Sequence, residues 1–240
     1  LKQLPRPIYG QAETLPNLAL GFRHSHAWLQ FSYASQGVLD VHTDSGRYLA
    51  PPQRAVWIPA GIEHQVRCSR QTEIRSLYID PAVVQQELTE TSVVEVSPLL
   101  RELIRAFSLL PVEYEEDGSD GRLAAVLLDQ LASAPRVASM LPLPADSRLQ
   151  AITNQLQQQP DDMTSLADWA TQLGVSEKTL SRLFSQQTGL TFRLWRQRLR
   201  LFNALPLLER QLAVTDVALD CGYESVSAFI SAFSQQFGCT

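Results

Sequence analysis

The chain is short of several things, and each shortage closes a class of explanation. It has only three cysteines in 240 residues, Cys68, Cys221 and Cys239. An odd, scattered set makes neither a disulfide framework nor a zinc spacing, and it fits a reducing cytoplasm. No apolar run approaches ~18 residues, so no membrane-spanning helix and no membrane partner are expected. The first ten residues hold Lys2 and Arg6 but no apolar segment, so no signal peptide is read there. The chain does not begin with Met and is expected to be a trimmed form or a fragment. There is no Ser-His-Asp arrangement, P-loop or dinucleotide fingerprint, and the chain is expected not to be an enzyme. An excess of positive charge is also missing. The 20 Lys+Arg stand against 25 Asp+Glu, a net charge of −5, which taken alone argues against nucleic acid as a partner. What is present is a hydrophobic fraction of 45%, enough to build cores and to exclude wholesale disorder. The length suits two modest domains better than one core.

The two halves have different periods. Residues 28–34 (WLQFSYA), 38–43, 48–50, 55–58, 65–68 and 74–79 are short β-branched or aromatic pieces. They are separated by Gly37, Asp44-Ser45-Gly46 and Pro51-Pro52, a pattern that predicts a β-sandwich or barrel. From Ser97 the period becomes helical. Leu99, Leu100, Leu103, Ile104 and Phe107 form one apolar stripe behind a Ser97-Pro98 start. A polar stretch, 113–121, separates this from a second helix carrying Leu123, Val126, Leu127 and Leu131. Two such appended helices either supply an oligomer interface or cover an open end of the sheet. Residues 135–144 (PRVASMLPLP) read as a linker with three prolines. Everything from Asp146 onward reads as helix. The expected class is therefore α+β in two domains, a β-barrel with appended helices followed by an all-α half. The boundaries are a β-domain over 1–95, a helical hairpin over 96–135, a linker over 136–146 and a helical domain over 147–240. Of the net charge, −4 lies in 1–145 (12 cations, 16 anions) and −1 in 146–240 (8 and 9).

The helical half repeats itself. At an offset of 48, Leu166, Ala170 and Gly174 match Val214, Ala218 and Gly222; one residue later, Leu180, Phe184 and Gly189 match Phe229, Phe233 and Gly238. Two helices crossing steeply in close contact need a small residue at the crossing, here Ala170 and Ala218. The turn four residues on needs a backbone free to take positive φ, hence Gly174 and Gly222. Ser176 and Ser225 then cap the second helix of each copy. A single Ala-x-x-x-Gly is weak; two copies with correct flanks define a double helix-turn-helix. Between the copies, 191–210 reads as a long helix with Arg193, Arg196, Arg198 and Arg200 along it. Its basic side is expected near phosphates, while Pro206 is expected to bend or end it early.

These residues carry a resemblance. The segments "SLADWATQLGVSEKTLSRLFSQQTGLTFRLWRQRLRL" and "VTDVALDCGYESVSAFISAFSQQFGCT" resemble the DNA-binding domain of the AraC/XylS family of bacterial transcription regulators. The segments "HSHAWLQFSYASQGVLDVHTDSG" and "PPQRAVWIPAGIEHQV" are similar to that family's cupin-type sensor domains. The resemblance implies a cytoplasmic, sequence-specific regulator of transcription with a cupin-like sensor. Its expected partners are double-stranded DNA, a small-molecule effector and a second copy of the chain, as a homodimer. The chain departs from the family pattern at Pro206. It also stops at Thr240, where the family usually continues with Pro and a basic tail, and its second reading helix has few long polar side chains.

Resemblance and helical geometry together name the residues that would meet DNA. Lys178, Ser181 and Arg182 are spaced i, i+3 and i+4 on the exposed start of the first reading helix. Arg182 can contact guanine bidentately, or pair with Glu177. Glu177 can accept from cytosine or complement the helix dipole. Arg193 and Arg196 are expected at phosphates. In the second unit the matching residues are Val226, Ser227 and Ser231, small groups that can touch thymine methyls and make single hydrogen bonds. The first unit is therefore expected to carry most of the base specificity.

In the β half, His24, His26 and Gln30 share parity along what reads as one extended strand. His64 follows Pro59-Ala60-Gly61 in a Pro-x-Gly-x-x-His pattern. This arrangement is similar to cupin metal sites, with Gln30 where a carboxylate would stand. No cofactor is required by the sequence, but His24, His26 and His64 would suffice for Zn, Ni or Fe as divalent ions. Alternatively the three histidines and Gln30 line a metal-free polar pocket for an effector, to which Trp28 and Trp57 would also contribute unless they pack in the core. His42 is off this template and expected to be exposed. A cupin metalloenzyme fused to a DNA-binding domain is the competing reading, and Gln30 speaks against it.

Overall fold

The computed structural model describes residues 4–15, 20–68, 72–84 and 89–238; Lys2, Cys239 and Thr240 lie outside the described residues. Cα packing divides the chain into two units, 1–44 with 48–140 and 45–47 with 141–240. No helix among the described residues is long and apolar enough to cross a membrane.

The β-rich part contains β1 (Ile8–Leu15), β2 (Leu20–His24), β3 (Leu29–Gln36), β4 (Leu39–Thr43), β5 (Gly46–Ala50), β6 (Arg54–Ile58), β7 (His64–Cys68), β8 (Thr72–Ile79) and β9 (Ser92–Glu95). Helices α1 (Pro98–Phe107) and α2 (Ser119–Ala132) follow, then β10 (Arg136–Val137). One sheet runs β1-β8-β3-β6-β9-β10; the other contains β5-β4-β7-β2. The two form separate hydrogen-bonded sheets, so the barrel expected from the strand pattern is not closed among the described residues.

The larger sheet is buried on both faces, which sets two cores apart. On one face Leu29, Phe31, Tyr33, Trp57 and Leu77 pack beneath Leu100, Ile104, Phe107, Leu127 and Leu131 of α1 and α2. On the other, Ala34, Val56, Ile58 and Ile74 meet Leu39, Val41, Tyr48 and Val66 of the second sheet. The two helices are thus a cover over the sheet. Ser97 caps α1 by accepting from Leu100 N–H (3.1 Å), and Pro98 takes the first turn, where a missing N–H costs nothing. Two features differ from expectation. β1, β2 and β9 carry no clean alternation and were not legible as strands. The proposed linker begins with β10, whose Arg136 and Val137 pair with Val94 and Val93, so that stretch completes the sheet.

The remaining elements are β11 (Met140–Pro142), α3 (Ser147–Gln158), α4 (Leu166–Gln172), α5 (Glu177–Thr188), α6 (Phe192–Glu209), α7 (Val214–Asp220) and α8 (Val226–Phe237). The sequence repeat is a repeat of backbone geometry. Gly174 and Gly222 both adopt left-handed φ, +66° and +75°. The following N–H of Val175 and of Tyr223 reaches back to Ala170 O and Ala218 O at 3.0 and 2.9 Å. Ser176 and Ser225 cap α5 and α8 through Thr179 N–H and Ala228 N–H, and Gly189 and Gly238 end them in the left-handed region. Pro206 does not end α6, which continues to Glu209. Proline removes one backbone bond, but Trp195, Leu199, Phe202 and Leu205 are buried along the same helix, and that packing outweighs the loss.

Candidate functional site

The first reading helix, α5, presents Glu177, Lys178, Ser181 and Arg182 as exposed side chains, with Leu180 and Phe184 buried on the opposite side. No ion pair ties Arg182 to Glu177 or to any other carboxylate among the described residues. Its guanidinium is exposed, as any contact to a base edge would require. In α8, Ser227 and Ser231 are exposed and Val226 half-buried, while Phe229 and Phe233 face inward. The two serines offer short polar groups only.

The long helix between them departs from the expected basic stripe. Arg193 is exposed. Arg196, by contrast, donates to Thr164 O (3.0 Å) and lies over the Phe192 ring at 5.2 Å. Arg200 donates to Pro160 O (3.0 Å) and Gly222 O (2.9 Å). Both are half-buried. Cationic residues at regular spacing suggested a phosphate-facing side; two of the four instead hold main-chain carbonyls, acceptors that leave no mark in a sequence.

In the β-rich unit the three histidines come together. Their ligand nitrogens all lie within 4.8 Å of one another. The expected single strand does not exist: the chain breaks between His24, the last residue of β2, and Leu29, the first of β3, and the two strands belong to different sheets. Convergence comes from other devices. His24 and His64 are direct cross-strand partners in β2 and β7. Gly61, at φ +78°, lets the Pro59-Ala60-Gly61 turn double back, and its N–H donates to His26 O (2.8 Å). Gln30, the second residue of β3, is buried beside them.

Hydrogen bonds fix the tautomers. A carbonyl can only accept, so His26 Nδ1–H donates to Trp28 O and His64 Nδ1–H to Ile62 O, both 2.8 Å. His24 Nδ1 has a longer contact, 3.4 Å, to Phe22 O. Burial pulls the His64 pKa down to about 4, so at neutral pH its Nε2 carries a lone pair. The outer end of the Gln30 amide lies 2.8 Å from His26 Nε2 and 3.2 Å from His64 Nε2. An amide oxygen there would face lone pairs. The consistent network is the half-turned amide, with its NH2 donating to the imidazoles and its oxygen accepting from Ser32 Oγ–H, at 2.8 Å. Imidazoles whose Nδ1–H is held by a carbonyl turn Nε2 toward a common point, the orientation a metal site requires once the Gln30 amide moves aside. The donor set therefore fits a divalent ion.

Trp28 stacks on His26, ring centroids 5.2 Å apart, and Tyr78 meets the same ring edge-on. The Trp28 Nε1–H is buried without a hydrogen-bond partner. Trp57 is not part of this site. It points to the opposite face of the sheet, against Phe31, and lines a separate cavity of about 140 Å³ with Leu128, Leu131 and Arg136. His42 is half-buried beside Asp40, 2.9 Å away, rather than exposed.

A β-rich unit with a polar site joined to a double helix-turn-helix defines a two-domain transcriptional regulator. Comparison with known proteins places it further. Residues 7–132 match the family of AraC-like ligand binding domains, and residues 169–240 match a helix-turn-helix domain family. The chain is 33% identical over 217 residues to the HTH-type transcriptional regulator NimR of Escherichia coli K12, covering 90% of this chain and 79% of that protein. It is 36% identical over 99 residues to RipA of Corynebacterium glutamicum, covering 41% of this chain and 30% of that one. Among solved structures, ToxT of Vibrio cholerae with a bound unsaturated fatty acid aligns over 98% of this chain and 91% of that chain, at 13% identity and a TM-score of 0.39. The chain belongs to the AraC family: it is a transcriptional regulator with an AraC-type DNA-binding domain and an AraC-like ligand-binding domain.

Proposed function

We propose that a small molecule or metal ion bound at His24, His26, Gln30 and His64 controls DNA binding by the helical domain, within a cytoplasmic homodimer. The sandwich of two sheets is read as a cupin-type sensor. The observation that carries this is the convergence of imidazole nitrogens whose Nδ1 atoms already face carbonyls. Zn, Ni or Fe would be held by His24, His26 and His64, with Gln30 adjacent, and would supply a fixed positive charge there. The buried Trp28 Nε1–H supports an effector that brings an acceptor, because an unmade bond of this kind costs about 1–3 kcal/mol. Occupancy would shift the population of dimers whose DNA-binding domains are placed to engage an operator. Exposed Leu99 and Val126 on α1 and α2 support those helices as the dimer surface, and Val126→Glu is then expected to yield monomer by light scattering. On DNA, Glu177, Lys178, Ser181 and Arg182 read bases, Arg193 contacts phosphate, and Val226, Ser227 and Ser231 position the second unit.

Elemental analysis of purified protein, together with a thermal-shift screen of ligands and metals, tests the site directly. Stoichiometric metal or a ligand shift that is lost in His26→Ala supports the reading. Absence of both, with the folded state intact, sinks it.

A further inference from the structure

The two helix-turn-helix units are joined through α6. Phe184 of α5 packs on Phe192 and Trp195, and Phe237 of α8 stacks on Phe202. Each of these ring contacts ties one unit to α6, and none of them joins the two units directly. The Arg200 side chain reaches both units. Arg200 Nε donates to Pro160 O (3.0 Å) and its Nη2 lies 3.4 Å from Asp162 O and 3.1 Å from Met163 Sδ. These three residues lead into α4. Its Nη1 donates to Gly222 O (2.9 Å), in the turn of the second unit. The guanidinium lies flat against that turn: a Cβ on Gly222 would stand 2.9 Å from Arg200 Cζ. Gly174, the equivalent residue of the first unit, has nothing within 4 Å of the same position.

The geometry points to Arg200 as a pin that fixes the second reading helix relative to the first, and so sets the spacing between the two stretches of DNA the units contact. It is a positioning residue and touches no base. The planar fork of arginine spans acceptors on two sides at once; lysine, with the same charge on one nitrogen, cannot. That difference separates the pin from the alternative, a phosphate contact, which lysine would preserve.

The test uses the intact chain and a library of randomised DNA duplexes, selected with wild type, Arg200→Lys and Arg200→Ala, followed by salt titration on the best wild-type duplex. Wild type is expected to enrich two submotifs at one spacing. Both variants are expected to keep the first submotif, spread the spacing over neighbouring base-pair steps, and lose ~10-fold affinity for the wild-type duplex through lost preorganisation. Their salt slopes stay at the wild-type value. Gly222→Ala, which drives a methyl into the guanidinium, should spread the spacing too. Gly174→Ala, equally strained in φ but facing open space, should not. Should Arg200→Ala fail to fold, Arg200→Lys and the glycine pair carry the comparison. Wild-type spacing in Arg200→Lys, a salt slope about one charge shallower in Arg200→Ala alone, or equal effects of the two glycine variants would overturn the proposal. Failure of wild type to enrich any duplex would instead count against DNA binding itself and, with it, the pin.

Discussion

The Gln30 amide bridges two imidazoles, 2.8 Å from His26 Nε2 and 3.2 Å from His64 Nε2. An NH2 group sits where a metal ion would be shared. A carboxylate at this position would bring negative charge and a ligand oxygen to the same point. Gln30→Glu is therefore expected to raise affinity for Zn²⁺ or Co²⁺ by about 10–100-fold, whereas Gln30→Leu, which supplies no ligand oxygen, should not. Titration with Co²⁺, followed by its visible absorption, reads both. Equal affinities in all three proteins would contradict the assignment of these residues as a ligand set.

His64 makes the metal-free protein acid-sensitive. Its pKa falls from 6.5 to about 4 on folding, because burial disfavours the cation. Above the unfolded value both states hold neutral imidazole and the residue contributes no pH dependence. Below it the unfolded chain takes a proton that the native state resists, so stability falls as pH drops from about 6.5 toward 4. The expected loss is on the order of 2–3 kcal/mol. Urea denaturation of wild type and His64→Asn at several pH values isolates it: the wild-type curve should be steeper in that window.

Specificity should be lopsided. Arg182→Ala is expected to cost ~1–3 kcal/mol of discrimination at one base pair. Ser231→Ala, which removes at most a single hydrogen bond, should cost about 1 kcal/mol or less. Binding to single-base variants of a selected duplex distinguishes the two. Equal relaxation by both substitutions would mean the second unit reads bases as well as the first.

Salt dependence should be shallow. Arg196 and Arg200 are committed to Thr164, Pro160 and Gly222 carbonyls, which leaves Lys178, Arg182 and Arg193 as the exposed cations of the reading face. At ~0.9 per phosphate, the slope of log K against log salt should be no steeper than about −3 per chain. A slope twice as steep would place the inward arginines on DNA after all.

The parts of this molecule legible in its sequence are those where a residue type answers a local backbone demand. Gly174 and Gly222 stand out because positive φ excludes most other residues, and Ser176 and Ser225 because helix starts need an acceptor. The histidine site was legible by residue type but not by geometry. Strand parity suggested that His24, His26 and Gln30 share one face; in fact β2 and β3 lie in different sheets, and the Gly61 turn and the His24–His64 pairing bring the rings together. Trp57 was misplaced because the larger sheet is buried on both faces, so β3 and β6 lose the alternation that would tell one face from the other. Arg196 and Arg200 were unreadable for a different reason: their partners are peptide carbonyls.

On the proposed function, this chain binds specific DNA through α5 under control of the β-rich unit. A mobility-shift assay of the intact protein at low salt, on the region upstream of the neighbouring gene, tests it most directly, with and without candidate ligands and metals. A sequence-specific shift is expected that changes with a ligand or metal and that weakens and loses its sequence preference in Arg182→Ala. No shift by the folded wild-type protein, or a shift indifferent to Arg182 and to every competitor sequence, would contradict it.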